Sequence, residues 1–181
     1  MPTQPTKTLT AKLARVRLFL CDVDGVLTDG TVSIGSSTEI KRFGIRDGLG
    51  LRILQRAGIQ VGWISNRPSP ATAARARELK VDFLHQDRGS KVAAAEAILN
   101  KAGADWSEVC YVGDDIVDLA MLRRVGVAVV VSNGVAEARA AADYVTRAPG
   151  GQGAVREVVE LILKAQKKWS GVVRDYAEGA L

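Results

Sequence analysis

Two aspartates, Asp22 and Asp24, stand two positions apart at the end of a short apolar run, Val16 to Cys21. Such a run, bounded by turn residues, predicts a strand buried on both faces of a parallel sheet. Positions i and i+2 point to the same side of an extended chain. Ligand sites of open α/β sheets lie outside the carboxyl ends of the strands. Like charges buried side by side are costly unless a cation or a shared proton compensates. The pair therefore predicts a metal ion.

Further reactive groups recur at equivalent places. A second apolar stretch ends in Ser65-Asn66-Arg67. The hydroxyl and turn N–H groups there can hold phosphate oxygens, and Asn66 tolerates a left-handed turn. Lys91 opens a helical segment, where an ammonium and a helix N-terminus both favour an anion. Another apolar stretch ends in Gly113-Asp114-Asp115, with Asp118 one turn on. Carboxylates there can complete an oxygen shell for Mg²⁺, a hard cation that prefers carboxylates, carbonyls and water.

The elements that must position these groups alternate between strand and helix. Strands are predicted over 17–22, 60–65, 81–86, 109–113, 127–132 and 144–146. Helical segments are predicted over 48–56, 70–79, 91–101, 115–124, 135–142 and from 153 into the 160s. Ser69 serves as N-cap and Pro70 as first helical residue of the second of these. The first is expected to bury Leu49, Ile53 and Leu54. Alternating βα units predict an α/β fold with a doubly wound parallel sheet. One segment breaks the rhythm: residues 31–43 read as a β-hairpin around Gly35, projecting as a flap over the sheet's carboxyl edge. Residues 1–14 are expected to be a flexible lead, 15–170 a single domain and 171–181 a tail.

Composition narrows the partners. A chain of 181 residues, 47% hydrophobic and 25% charged, is an ordinary globular domain. No apolar stretch approaches the roughly 20 residues of a membrane span. The polar first ten residues lack the apolar core of a signal peptide. A cytoplasmic protein with no membrane partner is expected. The net charge of +5 comes from scattered Lys and Arg without an aromatic-interleaved basic tract. This favours an anionic small molecule and no nucleic acid. Cys21 and Cys110 fall in predicted strands and read as buried inert thiols. A cysteine phosphatase would need Arg six positions on, where Leu27 and Ile116 stand. His85, the sole histidine, reads as structural, and Trp63 and Trp106 as packing residues.

Taken in order, Asp22-Val-Asp24-Gly-Val, Ser65, Lys91 and Gly113-Asp-Asp-Ile-Val-Asp118 resemble the four motifs of the haloacid dehalogenase superfamily. Within it, Asp24-Gly-Val-Leu-Thr-Asp-Gly30, Ile45-Arg-Asp-Gly48, Asp143-Tyr-Val-Thr146 and Gly150-Gly-Gln-Gly-Ala-Val-Arg-Glu157 are similar to the 3-deoxy-D-manno-octulosonate 8-phosphate (KDO 8-phosphate) phosphatases of lipopolysaccharide precursor synthesis. The resemblance implies a Mg²⁺-dependent phosphomonoesterase. It makes Asp22 the nucleophile that becomes an aspartyl phosphate and Asp24 the acid and base. The metal would be held by Asp22, the backbone carbonyl of Asp24, and Asp114. Ser65 and Lys91 would steady the phosphoryl oxygens, with Asp115 and Asp118 in support. Arg46, Asp47, Gly48, Arg52, Arg67 and Arg75 would contact a phosphorylated sugar acid, Arg being suited to carboxylates. Asn66 replaces the Gly common in the family's phosphate turn, and Gln152 stands where some relatives carry a basic residue.

Members of this superfamily usually shield the site with a cap inserted after the first or third motif. Only 40 residues separate Asp24 from Ser65, and only 22 separate Lys91 from Asp114. Neither interval has room for a cap domain once its hairpin, helix or strand is counted. Water exclusion then falls to the flap and to other subunits. The resemblance implies a homotetramer, in which related enzymes use the Gly150–Gly153 tail to reach a neighbouring site. Three alternatives compete. A phosphatase of another sugar acid, KDN 9-phosphate, is disfavoured because that branch tends to carry Glu where Arg67 stands. A non-catalytic oligomerising module is disfavoured by the intact Asp22, Asp24, Lys91 and Asp114. A response-regulator receiver carries its phosphorylated Asp on a later strand.

Overall fold

The computed structural model describes residues 6–36 and 38–180. Six strands form one parallel sheet: β1 (Leu18–Cys21), β4 (Gln60–Ser65), β5 (Phe83–Gln86), β6 (Val109–Gly113), β7 (Val127–Val130) and β8 (Tyr144–Val145). Their spatial order is β5-β4-β1-β6-β7-β8. From β1 the chain moves outward to β4 and β5, then returns to place β6 on the other side of β1. The order therefore reverses between β1 and β6, and a crevice opens where the strands diverge at their carboxyl ends.

The period of two along β1 divides the core. Phe19 and Cys21 join one apolar cluster, while Leu18 and Leu20 join the other. The first is covered by α1 (Lys7–Ala14), α2 (Ile45–Arg56), α3 (Pro70–Glu78) and α7 (Ala154–Ala165). The second lies under α4 (Lys91–Ala102), α5 (Leu119–Leu122) and α6 (Ala136–Ala140). In α7, Val155, Val158, Val159, Ile162 and Leu163 are buried at the spacing of a single helical stripe. The doubly wound α/β fold expected from sequence is the fold observed. Among the described residues there is no cap domain.

Several local expectations are corrected. Residues 7–14, read as flexible, form α1, because Leu9 and Leu13 lie one turn apart and bury against the domain. Thr6 caps the helix by accepting from Leu9 N at 3.2 Å. Residues 1–5 of the expected lead lie outside the described residues. Much of the expected tail is α8 (Trp169–Ala177). It is anchored where Arg156 and Lys164 lie 5.1 and 5.7 Å from the Trp169 ring centre. Leu49 is 42% exposed rather than buried. The inward stripe of α2 runs through Asp47, Gly50, Leu51 and Leu54, leaving Ile45 and Leu49 on its outer side.

The expected hairpin is present as β2 (Ser33–Ile34) and β3 (Glu39–Ile40), paired antiparallel. Both cysteines are buried and unbridged, and burial pushes both thiols up, as expected of inert sulfur. No described helix is long and apolar enough to cross a membrane.

Candidate active site

Asp22 follows β1 directly, its N–H donating to Val112 O of β6 at 2.9 Å. Lys91 is the first residue of α4, behind the Ser90 N-cap. Its ammonium lies 3.1 Å from Asp22 Oδ1 and 2.7 Å from Asp118 Oδ1. Asp118 is fully buried and fully engaged. Its Oδ1 also accepts from Tyr111 Oη at 2.6 Å, and its Oδ2 accepts from Asp114 N at 2.9 Å and Asp115 N at 3.3 Å. One side chain thus fixes both Lys91 and the loop after β6. Asp115 is exposed and caps the following turn through Ile116 N at 2.6 Å.

Burial raises Asp22 to about 6, Lys91 opposing and Asp118 adding to the shift. Burial, then the charges of Asp22 and Asp118, raise Asp114 to about 7. For Lys91, burial works against the charge, but Asp22 and Asp118 outweigh it and lift its pKa above the usual value. One lysine therefore leaves this carboxylate cluster short of positive charge.

The shortfall fits a divalent cation. One oxygen from each of Asp22, Asp114 and Asp118 lies within 4.8 Å of the others. Asp118 has its oxygens committed, whereas Asp114 Oδ1 is buried without a hydrogen-bond partner among the described residues. An all-oxygen donor set suits Mg²⁺. Gly25, at φ +91°, keeps the approach open, since a Cβ there would lie 2.1 Å from Asp114 Oδ2.

The side chain of Asp24 does not join that cluster. It meets Lys41, which follows β3. The Lys41 ammonium is 2.8 Å from Asp24 Oδ1 and donates to Oδ2 at 2.9 Å and to Thr72 Oγ1 at 3.1 Å. The Lys41 side chain has no exposed surface. Sequence reasoning missed it. On the same face of the flap strand, Glu39 accepts from the Ser69 hydroxyl and from Arg67 Nη2, which hold its carboxyl below the usual range. Ser65 is buried; its hydroxyl accepts from Arg67 N at 3.1 Å and donates to Arg67 O at 3.2 Å, closing the expected turn.

The expected sugar-acid contacts do not converge. Asp47 is buried and spends both oxygens on the start of α7, accepting from Gly153 N at 3.0 Å and Arg156 N at 2.8 Å. Arg52 donates to Leu79 O at 3.1 Å and Gln55 Oε1 at 2.8 Å, tying α2 to the end of α3. The Arg75 guanidinium lies over buried Gly48 and pairs with Glu78 at 2.8 Å. Asp47, Arg52 and Arg75 are thus each bonded to a neighbouring helix end or within their own helix, and Gly48 lies beneath the Arg75 guanidinium. Arg67 sits at the phosphate turn but is latched to the flap. Arg46 is exposed and lines a cleft of about 480 Å³ with Arg147, Gln152 and Arg156.

The glycine tail also belongs to its own chain. Gly151 N donates to Val26 O at 2.9 Å and Gly150 N to Asn133 Oδ1 at 2.9 Å. A Cβ on Gly150 would lie 1.7 Å from Gly25 O, so only glycine lets this tail press on the loop after Asp24. Within the chain, the Gly150–Gly153 tail is thus bonded to the loop after Asp24 and to Asp47.

A family model described as haloacid dehalogenase-like hydrolase matches residues 50–158. The 3-deoxy-D-manno-octulosonate 8-phosphate phosphatase of Yersinia pestis is 39% identical over 161 residues, covering 88% of this chain and 86% of the relative. The crystal structure of the Moraxella catarrhalis phosphatase of that name, in complex with magnesium, phosphate and KDO, superimposes with a TM-score of 0.90 at 40% identity. It covers 93% of this chain and 97% of its own. A cobalt-bound form of the Haemophilus influenzae phosphatase gives 0.84 at 37% identity, covering 87% and 92%. The chain belongs to the haloacid dehalogenase-like hydrolases, in the family of the 3-deoxy-D-manno-octulosonate 8-phosphate phosphatases.

Proposed function

We propose that the chain is a Mg²⁺-dependent phosphomonoester hydrolase whose substrate is 3-deoxy-D-manno-octulosonate 8-phosphate, a step of lipopolysaccharide precursor synthesis in the cytoplasm. The observation that carries the reading is the group of buried Asp22, Asp118 and Lys91 with half-buried Asp114 at the reversal between β1 and β6. Relatives bearing this name, one with magnesium, phosphate and KDO bound, support it.

In the first step a carboxylate oxygen of Asp22 attacks phosphorus and the bond from phosphorus to the sugar oxygen breaks. Asp24 gives its proton to the departing alkoxide. In the second step water attacks the phosphorus of the aspartyl phosphate, Asp24 takes a proton from it, and Asp22 is released with inorganic phosphate. Lys91 and Ser65 hold the phosphoryl oxygens as charge redistributes. Asp118 and Asp115 keep Lys91 and the 114–115 loop in register. Mg²⁺, held by Asp22, Asp114 and the Asp24 carbonyl, would offset the repulsion between phosphate and carboxylates.

Substrate selection is assigned to Arg67 and Arg46, the two expected arginines not turned inward. Self-association, up to a homotetramer, is proposed from the apolar side chains left exposed on the flap and α2: Ile34, Ile40, Ile45 and Leu49. Phosphate release would be measured from KDO 8-phosphate, KDN 9-phosphate and glucose 6-phosphate, with Mg²⁺ and with a chelator. Mg²⁺-dependent preference for KDO 8-phosphate is expected. Preference for the neutral hexose phosphate would overturn the substrate assignment, and activity indifferent to chelation would overturn the metal. Light scattering that returns a fully active monomer would remove the assembly.

A further inference from the structure

Asp24 sits on a loop, and a carboxyl group that must meet one leaving oxygen has to be held in one orientation. Among the described residues, no side chain from a strand end bonds to it. The contact comes from Lys41, on the flap. Its ammonium donates to Asp24 Oδ2 at 2.9 Å and to Thr72 Oγ1 of α3 at 3.1 Å, and lies 2.8 Å from Asp24 Oδ1, a buried oxygen left without a hydrogen-bond donor among the described residues.

The hydropathy of this strand is inverted. Ile40 is 60% exposed while the next residue, Lys41, is buried. Lysine is among the residues least often buried without a partner, and an apolar side chain would normally take the inward position. The inward face of β3 is therefore set by what it meets, which is charged. Two positions back on that face, Glu39 is held by Ser69 and Arg67 at the phosphate turn. Flap, acid loop and phosphate turn are joined by two adjacent charged contacts.

We infer that Lys41 is a positioning residue: it is brought in by the flap and fixes the Asp24 carboxyl toward the leaving oxygen, so that protonation of the alkoxide requires the flap to be seated. This rests on the assignment of Asp24 as the acid. The competing account is that Lys41 merely fastens the flap to the domain. The two differ in their dependence on the leaving group. A sugar alkoxide needs a proton as it departs, whereas 4-nitrophenolate leaves without one.

The test is kcat/KM for KDO 8-phosphate and for 4-nitrophenyl phosphate, in wild type, Lys41→Met, Lys41→Arg, Glu39→Gln and Asp24→Asn. This ratio covers the steps through cleavage of the substrate ester and is blind to the later breakdown of the aspartyl phosphate. General acid catalysis is worth roughly 10²–10⁴-fold. Lys41→Met is expected to lose about 100-fold on the sugar phosphate and at least tenfold less on the aryl phosphate. Lys41→Arg is expected to recover part of the selective loss, and Glu39→Gln to show a smaller one. Hydrolysis of the aryl ester reports in the same assay that the variant is folded. Equal losses on both esters in Lys41→Met, with a selective loss in Asp24→Asn, overturn the positioning role and leave Asp24 as the acid. Equal losses in Asp24→Asn overturn both.

Discussion

Each aspartate of the opening pair is met by its own buried lysine, but the two pairs are built from different material. Lys91 stands at the first turn of a twelve-residue helix and is braced by Asp118, itself held by Tyr111 and the 114–115 loop. Lys41 stands beside a strand of two residues in a hairpin separate from the main sheet. The Asp22 pair is welded to the reversal point of the fold, and the Asp24 pair arrives with a flap. Groups facing charge that changes during reaction gain from being fixed beforehand. Segments with few buried apolar contacts open at low free-energy cost. Under the proposed mechanism, phosphoryl transfer would rest on the braced pair and proton delivery on the pair carried by the flap.

The contrast can be broken most sharply at its rigid end. Asp22→Asn should lower phosphate release by roughly 10⁴-fold or more, because no other group replaces the attacking oxygen. Residual turnover near wild type would return the nucleophile role to another side chain. Stability separates the lysines. Lys91→Met strands two buried carboxylates and should cost about 3–5 kcal/mol in urea unfolding. Lys41→Met should cost on the order of 1 kcal/mol, since a displaced flap lets water reach Asp24. Equal costs would erase the distinction between the two pairs. Magnesium sharpens it further. At a hundredfold excess over Kd it should stabilise the protein by about 2.7 kcal/mol. Asp114→Asn should abolish that gain and Lys41→Met should leave it. A full gain in Asp114→Asn would remove Asp114 from the metal's ligands.

The rigid half was legible in the sequence for a physical reason. Apolar runs announce buried strands, strand ends locate the crevice, and Asp22, Ser65 and Asp114 stand at such ends while Lys91 opens the helix that follows one. The flap half was not. Reading hydropathy places Ile40 inward and Lys41 in solvent, and the reverse holds because that face looks onto carboxylates and hydroxyls instead of a core. The signal was available in the alternation itself, which puts Glu39 and Lys41 on one face. Resemblance names Asp47, Gly48, Arg52 and Arg75 by residue type; that the side chains of Asp47, Arg52 and Arg75 bond within the domain depends on direction, which a sequence does not display. α1 was hidden by a polar lead whose two apolar anchors, Leu9 and Leu13, are too few to mark a helix without their partners on α7.

Asp47 offers the smallest and most discriminating test of where the frame ends and the site begins. Its carboxylate receives the first N–H groups of α7 and thereby holds the glycine tail that presses on the loop after Asp24. Asp47→Asn keeps one acceptor and turns an amide donor toward the other N–H, at a cost of about 1–2 kcal/mol. If Asp47 belongs to the frame, KM for KDO 8-phosphate should stay within about twofold, while a larger rise returns it to the substrate. Burial raises its pKa from 3.8, against the pull of the Arg156 and Gly153 N–H groups. A raised carboxyl holds its proton longer in the folded state than in the unfolded chain. That contribution is complete below pH 3.8 and is lost as pH rises through the folded value. The stability advantage of wild type over Asp47→Asn should therefore shrink as pH climbs out of the ordinary carboxylate range. An advantage that grows instead would mean that the N–H groups and the positive end of α7 outweigh burial, so that the helix start requires the ionised carboxylate.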